Sequence, residues 1–168
     1  MIYTEARSKI ASGDLLAWSH RGWRSFYDFE VQMVRMFTRS EYCHVGIAWR
    51  CAERVFVLEA VQTGVRIFPL SRLAPFYWVP LKVEWTAETE DYALSKVGER
   101  YSKVQAVLAF LGLLPPEPDN QWQCVEYVST VLSQVKQTWV LGVDFTPSKI
   151  VRAAQENDHV VFYVGPDG

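Results

Sequence analysis

The chain is short of the features that would assign it to several large protein classes. It has three cysteines, Cys43, Cys51 and Cys124, in 168 residues. Three thiols cannot all pair, which argues against a disulfide framework and leaves at least one of them free. No run reaches the roughly 18 apolar residues of a membrane span. The longest candidate, VLAFLGLLPP, stops at two prolines. The opening residues, MIYTEARSKIASGD, scatter charges where an export signal needs a continuous apolar stretch. A soluble chain made in the cytosol is the expectation. There is also no block of like charge: 17 Lys+Arg stand against 19 Asp+Glu, a formal charge of −2. That speaks against a phosphate-binding surface and hence against nucleic acid as partner.

What remains is an ordinary globular composition, 49% hydrophobic and 21% charged, with no repeat, linker or low-complexity segment. Residues 1–168 are therefore expected to form one domain with a single core. DLLAW (14–18) reads as a short strand. The segment 24–38 places Phe26, Phe29, Met33, Met36 and Phe37 at helical spacing. Residues 44–50 and 54–60, rich in Val, Ile, Phe and Trp, read as a hairpin. Gln62-Thr63-Gly64 makes a turn into VRIFPL (65–70). YWVPLKVEW (77–85) is a further strand, with Pro80 marking an edge or bulge. These make a meander-like antiparallel sheet.

The second half reads as helical. Thr86 is a suitable N-cap before AETEDYALSKVGERY, whose first turn is acidic. Lys103–Leu114 is apolar and helix-compatible, and PPEPDNQ (115–121) ends it. In Cys124–Val135 the residues Val125, Val128, Val131, Leu132 and Val135 keep a helical period. Thr146-Pro147 opens a last helix to about Glu156 as N-cap and N1, before a closing strand HVVFYV (159–164). The class is α+β.

Cys124 falls in the first turn of its helix, directly after a polar, proline-containing loop. A thiol there feels the positive end of the helix macrodipole and unpaired N–H groups, conditions that favour thiolate. Taken alone, Cys124 reads first as a small buried hydrophobe, and His44 as a core histidine on an apolar strand. The third residue changes the balance. If residues 50–53 close the hairpin, Trp49 pairs with Arg54 and His44 lies directly opposite Glu59. A carboxylate at cross-strand distance can orient the imidazole and stabilise its protonated form. A slip of one residue would place Glu59 on the other face.

Other residues carry weaker signals. Cys43 and Cys51 beside His44 lack metal-ligand spacing, and neighbours in a strand point to opposite faces, so neither a metal nor a cofactor is expected. His20 and His159 have no partner by spacing. Of the seven tryptophans, Trp18, Trp23, Trp49 and Trp78 read as core, and Trp122, two residues before Cys124, is placed to wall a pocket.

The strings GDLLAW, HVGIAW, VFVLEA followed by GV and PL, GERY, and WQCVEYVSTVL stand in this order over residues 12–135. Together they resemble the NlpC/P60 superfamily of papain-like cysteine hydrolases, in the circularly permuted branch that includes YiiX-like and lecithin:retinol acyltransferase-like proteins. The resemblance implies a papain-like α+β fold, with His44 as catalytic histidine, Cys124 as nucleophile and Glu59 as the third polar residue. Glu126 fits the permuted branch, whereas Val125 replaces the small residue that usually follows the cysteine.

The implied chemistry is acyl transfer through a thioester. The Cys124 backbone N–H, with Gln121 or Gln123, would stabilise the oxyanion, and Tyr101 is a further pocket candidate. The implied substrate is an amide bond, foremost in the peptide stem of peptidoglycan. It would be reached as part of a phage particle, through a secretion system or on lysis. A lipid or thioester hydrolase or acyltransferase, and an inactive papain-like binding or assembly module, are the alternative readings.

Overall fold

The computed structural model describes residues 1–19, 41–61, 63–101, 121–122, 124–140 and 146–167. The strand-forming runs build one antiparallel sheet from β1 (Leu15–Ser19), β2 (Tyr42–Cys51), β3 (Arg54–Val61), β4 (Gly64–Pro69), β5 (Phe76–Val79) and β8 (Phe162–Val164). Its order is β4-β3-β2-β1-β5-β8. The chain meanders from β1 to β4 on one side, then β5 returns to the free side of β1. Near-continuous apolar character in β2 follows from this position: between β1 and β3, with core on both sides, its residues from His44 to Ala48 are all buried. A two-residue parallel ladder joins β6 (Arg100–Tyr101) to β7 (Gln121–Trp122).

Among the described residues the helices are α1 (Tyr3–Arg7), α2 (Ala87–Ser95), α3 (Cys124–Gln134) and α4 (Pro147–Glu156). Helix α3 buries Val125, Tyr127, Val128, Val131 and Leu132, an apolar stripe at helical period that packs with Val45, Ile47 and Leu58 of the sheet. Ile150, Val151 and Ala154 of α4 complete this layer. A second apolar layer gathers Tyr3 and Ala6 of α1 with Leu16, Trp18, Ala48, Val57, Phe76 and Trp78. The architecture is α+β, as the alternation of patterns predicts.

Several boundaries differ from the sequence reading. The strand expected over 77–85 ends at Val79, because Pro80 has no N–H to give and β5 has a neighbour on each side. Beyond it, Leu81 donates its N–H to the buried Asp14 instead. The helix expected to run on from Thr86 stops at Ser95, although Thr86 does cap it by accepting from the Thr89 N–H. Residues 98 and 99 turn to the start of β4, where Val65 donates to the Glu99 carbonyl and accepts from the Gly98 N–H. The closing strand begins only at Phe162. Pro147 opens α4 as expected, but the Thr146 side chain makes no capping bond. The helices expected over 24–38 and 103–114 lie outside the described residues, as do His20 and Trp23.

Candidate active site

The site begins with a change in register. The β2–β3 hairpin closes through Ala52 and Glu53, so that Cys51 pairs with Arg54, Trp49 with Phe56 and Ile47 with Leu58. The four-residue loop expected from the sequence is therefore corrected. Every pair moves by two residues, and the register carries Glu59 across from Gly46 rather than His44. A two-residue shift preserves facing, so the carboxylate remains on the imidazole's side. Gly46 makes room for it. A Cβ at that position would lie 2.5 Å from Val57 Cγ2, 3.1 Å from the Leu58 carbonyl oxygen and 3.3 Å from Glu59 Cβ.

Glu59, fully buried, passes over Gly46 and accepts from His44 Nε2 at 2.6 Å through Oε2. That contact occupies one ring nitrogen, and the Cys124 thiol is also a hydrogen-bond partner of the His44 side chain. The imidazole thus contacts both Glu59 and Cys124. Burial works against its protonation, but the hydrogen bonds and charges of Cys124 and Glu59 prevail and raise its pKa to about 9. Burial likewise works against ionisation of Glu59, and the opposing contacts to His44 and Arg66 hold it below the usual carboxylate range.

Local structure explains why these side chains meet. Trp18 pairs with His44 and Ser19 with Tyr42, so Cys43 is an extra residue, a bulge immediately before the histidine. Bulges of this kind re-aim the neighbouring side chain. The Trp18 ring lies 5.4 Å from the His44 ring, and its indole N–H donates to the Leu73 carbonyl, so one face of the imidazole is backed by a fixed wall. The start of β2 is tied to the start of α4, where Ser148 Oγ accepts from the Tyr42 N–H.

Cys124 is placed from the other direction. The Gly64 approach to Glu99 is so close that a Cβ would lie 2.4 Å from its carbonyl oxygen. This docks residues 98–101 on β4, β6 aligns β7, and α3 starts two residues after β7. At its far side α3 is anchored by the Tyr127 hydroxyl, which donates to the Ala93 carbonyl of α2.

The expected triad residues are brought together. Of the other candidates, Gln123 lies outside the described residues, as do the side chains of Gln121, Trp122 and Tyr101, whose backbones form the β6–β7 ladder. Cys51 is exposed, and the Cys43 thiol donates to the Trp18 carbonyl. Among the described residues no cluster of three or more His, Cys, Asp or Glu side chains could hold a metal ion.

One residue escaped the sequence reading. Arg66 pairs with Glu59 across β3 and β4 and donates from Nε and Nη2 to Oε1, at 2.9 and 2.7 Å. The signal was present: with Val61 paired to Gly64 across the Gln62-Thr63 turn, counting outward puts Arg66 opposite Glu59. The buried carboxylate therefore has both oxygens engaged.

The sequence matches no protein-family model and no curated protein. The structure is similar to a crystal structure of metalloprotein YiiX from Escherichia coli O157:H7, with a TM-score of 0.52 at 20% identity, covering 80% of this chain and 68% of that one. The fold is YiiX-like. It agrees with the papain-like α+β architecture that the ordered motifs imply. Among the described residues no helix is long and apolar enough to cross a membrane.

Proposed function

We propose that this protein is a cysteine hydrolase in which Cys124, His44 and Glu59 carry out acyl transfer. The observation that supports it is the position of the His44 ring, buried in contact with both the Glu59 carboxylate and the Cys124 thiol. Cys124 as thiolate attacks the carbonyl carbon of the substrate. His44, protonated in the resting site, gives its proton to the leaving group as the carbon–nitrogen bond breaks, leaving a thioester on Cys124. Water then attacks the thioester, His44 takes the proton, and the thiolate is released. Glu59 holds the ring so that Nδ1 faces sulfur and offsets the imidazolium charge. The Cys124 backbone N–H, at the first residue of α3, is a donor for the oxyanion.

YiiX is described as a metalloprotein. The donor set here does not suit a cation, because Oε1 of Glu59 accepts from the Arg66 guanidinium and Oε2 from His44. No step is assigned to a metal.

The substrate we propose is an amide, foremost in the peptide stem of peptidoglycan. Digestion of purified peptidoglycan with the wild type and Cys124→Ala, analysed by mass spectrometry, tests this against a fluorogenic acyl ester run in parallel. The proposal expects stem fragments from the wild type alone. Turnover of the ester without fragments would replace the amide by a lipid or thioester substrate, and inertness toward both would leave a binding module.

A further inference from the structure

Arg66 has no part in the scheme above, yet it holds the buried carboxylate on which the scheme depends. Glu59 is 0% exposed, whereas the Arg66 side chain is 37% exposed, on a strand at the end of the sheet. Its guanidinium donates twice to Oε1, leaving Oε2 to His44, and its planar group sits 4.6 Å over the Phe68 ring. These contacts fix both the charge and the orientation of the carboxylate.

The charges in this line change during the reaction. The proposed scheme begins with a thiolate and an imidazolium facing each other, while Glu59 faces Arg66. Acylation forms the bond between Sγ and carbon, breaks the bond to the leaving group, and moves the His44 proton onto that group. Cys124 and His44 are now both neutral. Among the described residues, Arg66 is then the counter-charge left beside a fully buried carboxylate. Without it, Glu59 would take up a proton rather than stay ionised out of water. A neutral Glu59 could not offset the imidazolium that forms when His44 accepts the proton of the attacking water, the step in which carbon–oxygen bond formation expels the thiolate.

We propose that Arg66 is a positioning residue that keeps Glu59 ionised and aimed at His44 during deacylation, the half-reaction that begins with a neutral histidine. The inference deepens the cysteine-hydrolase reading and rests on it. Among the described residues, the charged groups acting on Glu59 are His44 from β2 and Arg66 from β4, and His44 in turn faces Cys124 from α3.

The test compares the wild type with Arg66→Met, which keeps the aliphatic stem, and Arg66→Lys, which restores charge without the planar fork. Carbon NMR of the Glu59 carboxyl reads its protonation without turnover. Intact-mass spectrometry with a fluorogenic acyl ester separates formation of the acyl-enzyme from its decay. In Arg66→Met the Glu59 midpoint should rise by about 3 pH units or more, toward the neutral pH of the assay. Deacylation should slow by about 10-fold or more with acylation little changed, so that acyl-enzyme accumulates. Lysine should recover part of both effects.

A Glu59 midpoint that does not move, or acylation and deacylation slowed equally, would overturn the proposal. A midpoint that rises while the wild type forms no acyl-enzyme would refute the hydrolase reading and the deacylation role together, and reduce Arg66 to a structural clamp.

Discussion

Replacing Glu59 by glutamine keeps the side chain's shape and removes its charge, which makes the ion pair at the centre of the fold measurable. His44 titrates at about 9 in the folded chain against 6.5 for an unperturbed imidazole. A histidine raised in this way stabilises the fold fully below its unfolded pKa, and the contribution is lost as the pH climbs through the folded one. The rise from 6.5 to about 9 corresponds to roughly 3 kcal/mol. Glu59 runs in the opposite sense: held below its ordinary 4.5, it contributes above that pH and loses the contribution on acidification. Both contributions are complete between 4.5 and 6.5.

Inside that window Glu59→Gln should be destabilised by about 3–5 kcal/mol, the cost of breaking a buried ion pair on one side. Between pH 6.5 and about 9 the wild type progressively loses the contribution of its imidazolium, and the gap should narrow by about 1–2 kcal/mol, the share of the rise owed to Glu59 rather than to Cys124. It should not close, because Arg66 still faces an uncharged amide. Urea unfolding followed by tryptophan fluorescence, from about pH 5 to about pH 9.5, measures both curves. Parallel curves, with a gap independent of pH, would refute the claim that Glu59 and His44 are an ionised pair.

Two other substitutions probe the frame around the site. Gly46→Ala forces a methyl against Val57 Cγ2 and the Leu58 carbonyl, at 2.5 and 3.1 Å. It should cost about 1–3 kcal/mol by overpacking and lower the rate of Cys124 alkylation by displacing Glu59, and a melting temperature equal to wild type would contradict it. Asp14, 2% exposed, accepts from the Ala11 and Leu81 N–H groups and the Trp78 indole. Asp14→Ala strands three donors and should destabilise by about 3 kcal/mol, against which a loss under about 1 kcal/mol in urea unfolding would count.

How far the sequence carried the reading depended on whether a relation was local. The apolar stripe of α3 and the Pro147 start of α4 follow from residues within one or two turns, and both stand. The hairpin's existence was legible from two β-rich runs, but its loop was not, because Arg50 and Cys51 are equally compatible with a turn and with the strand end they form. The error of two residues did no harm to His44 and Glu59, since facing repeats every second residue.

Asp14 was different. Two of its three partners lie 64 and 67 residues away and the third, Ala11, marks only a local turn, so nothing beside it signals that GDLLAW contains a buried carboxylate. Arg66 follows from the same kind of counting that relates His44 to Glu59, applied to the β3–β4 hairpin. The bulge at Cys43, which helps aim His44, comes from pairing with β1 and has no signature in the strand's own residues.

The coupling of Cys124 to His44 is the claim on which the functional account stands. Its most direct measurement is the rate of iodoacetamide alkylation at Cys124 as a function of pH, in wild type and His44→Ala, with peptide-resolved mass spectrometry separating it from Cys43 and Cys51. Replacing His44 should lower the rate at neutral pH by about 10-fold or more, while the rates at high pH converge. The same pH profile in both proteins would contradict it.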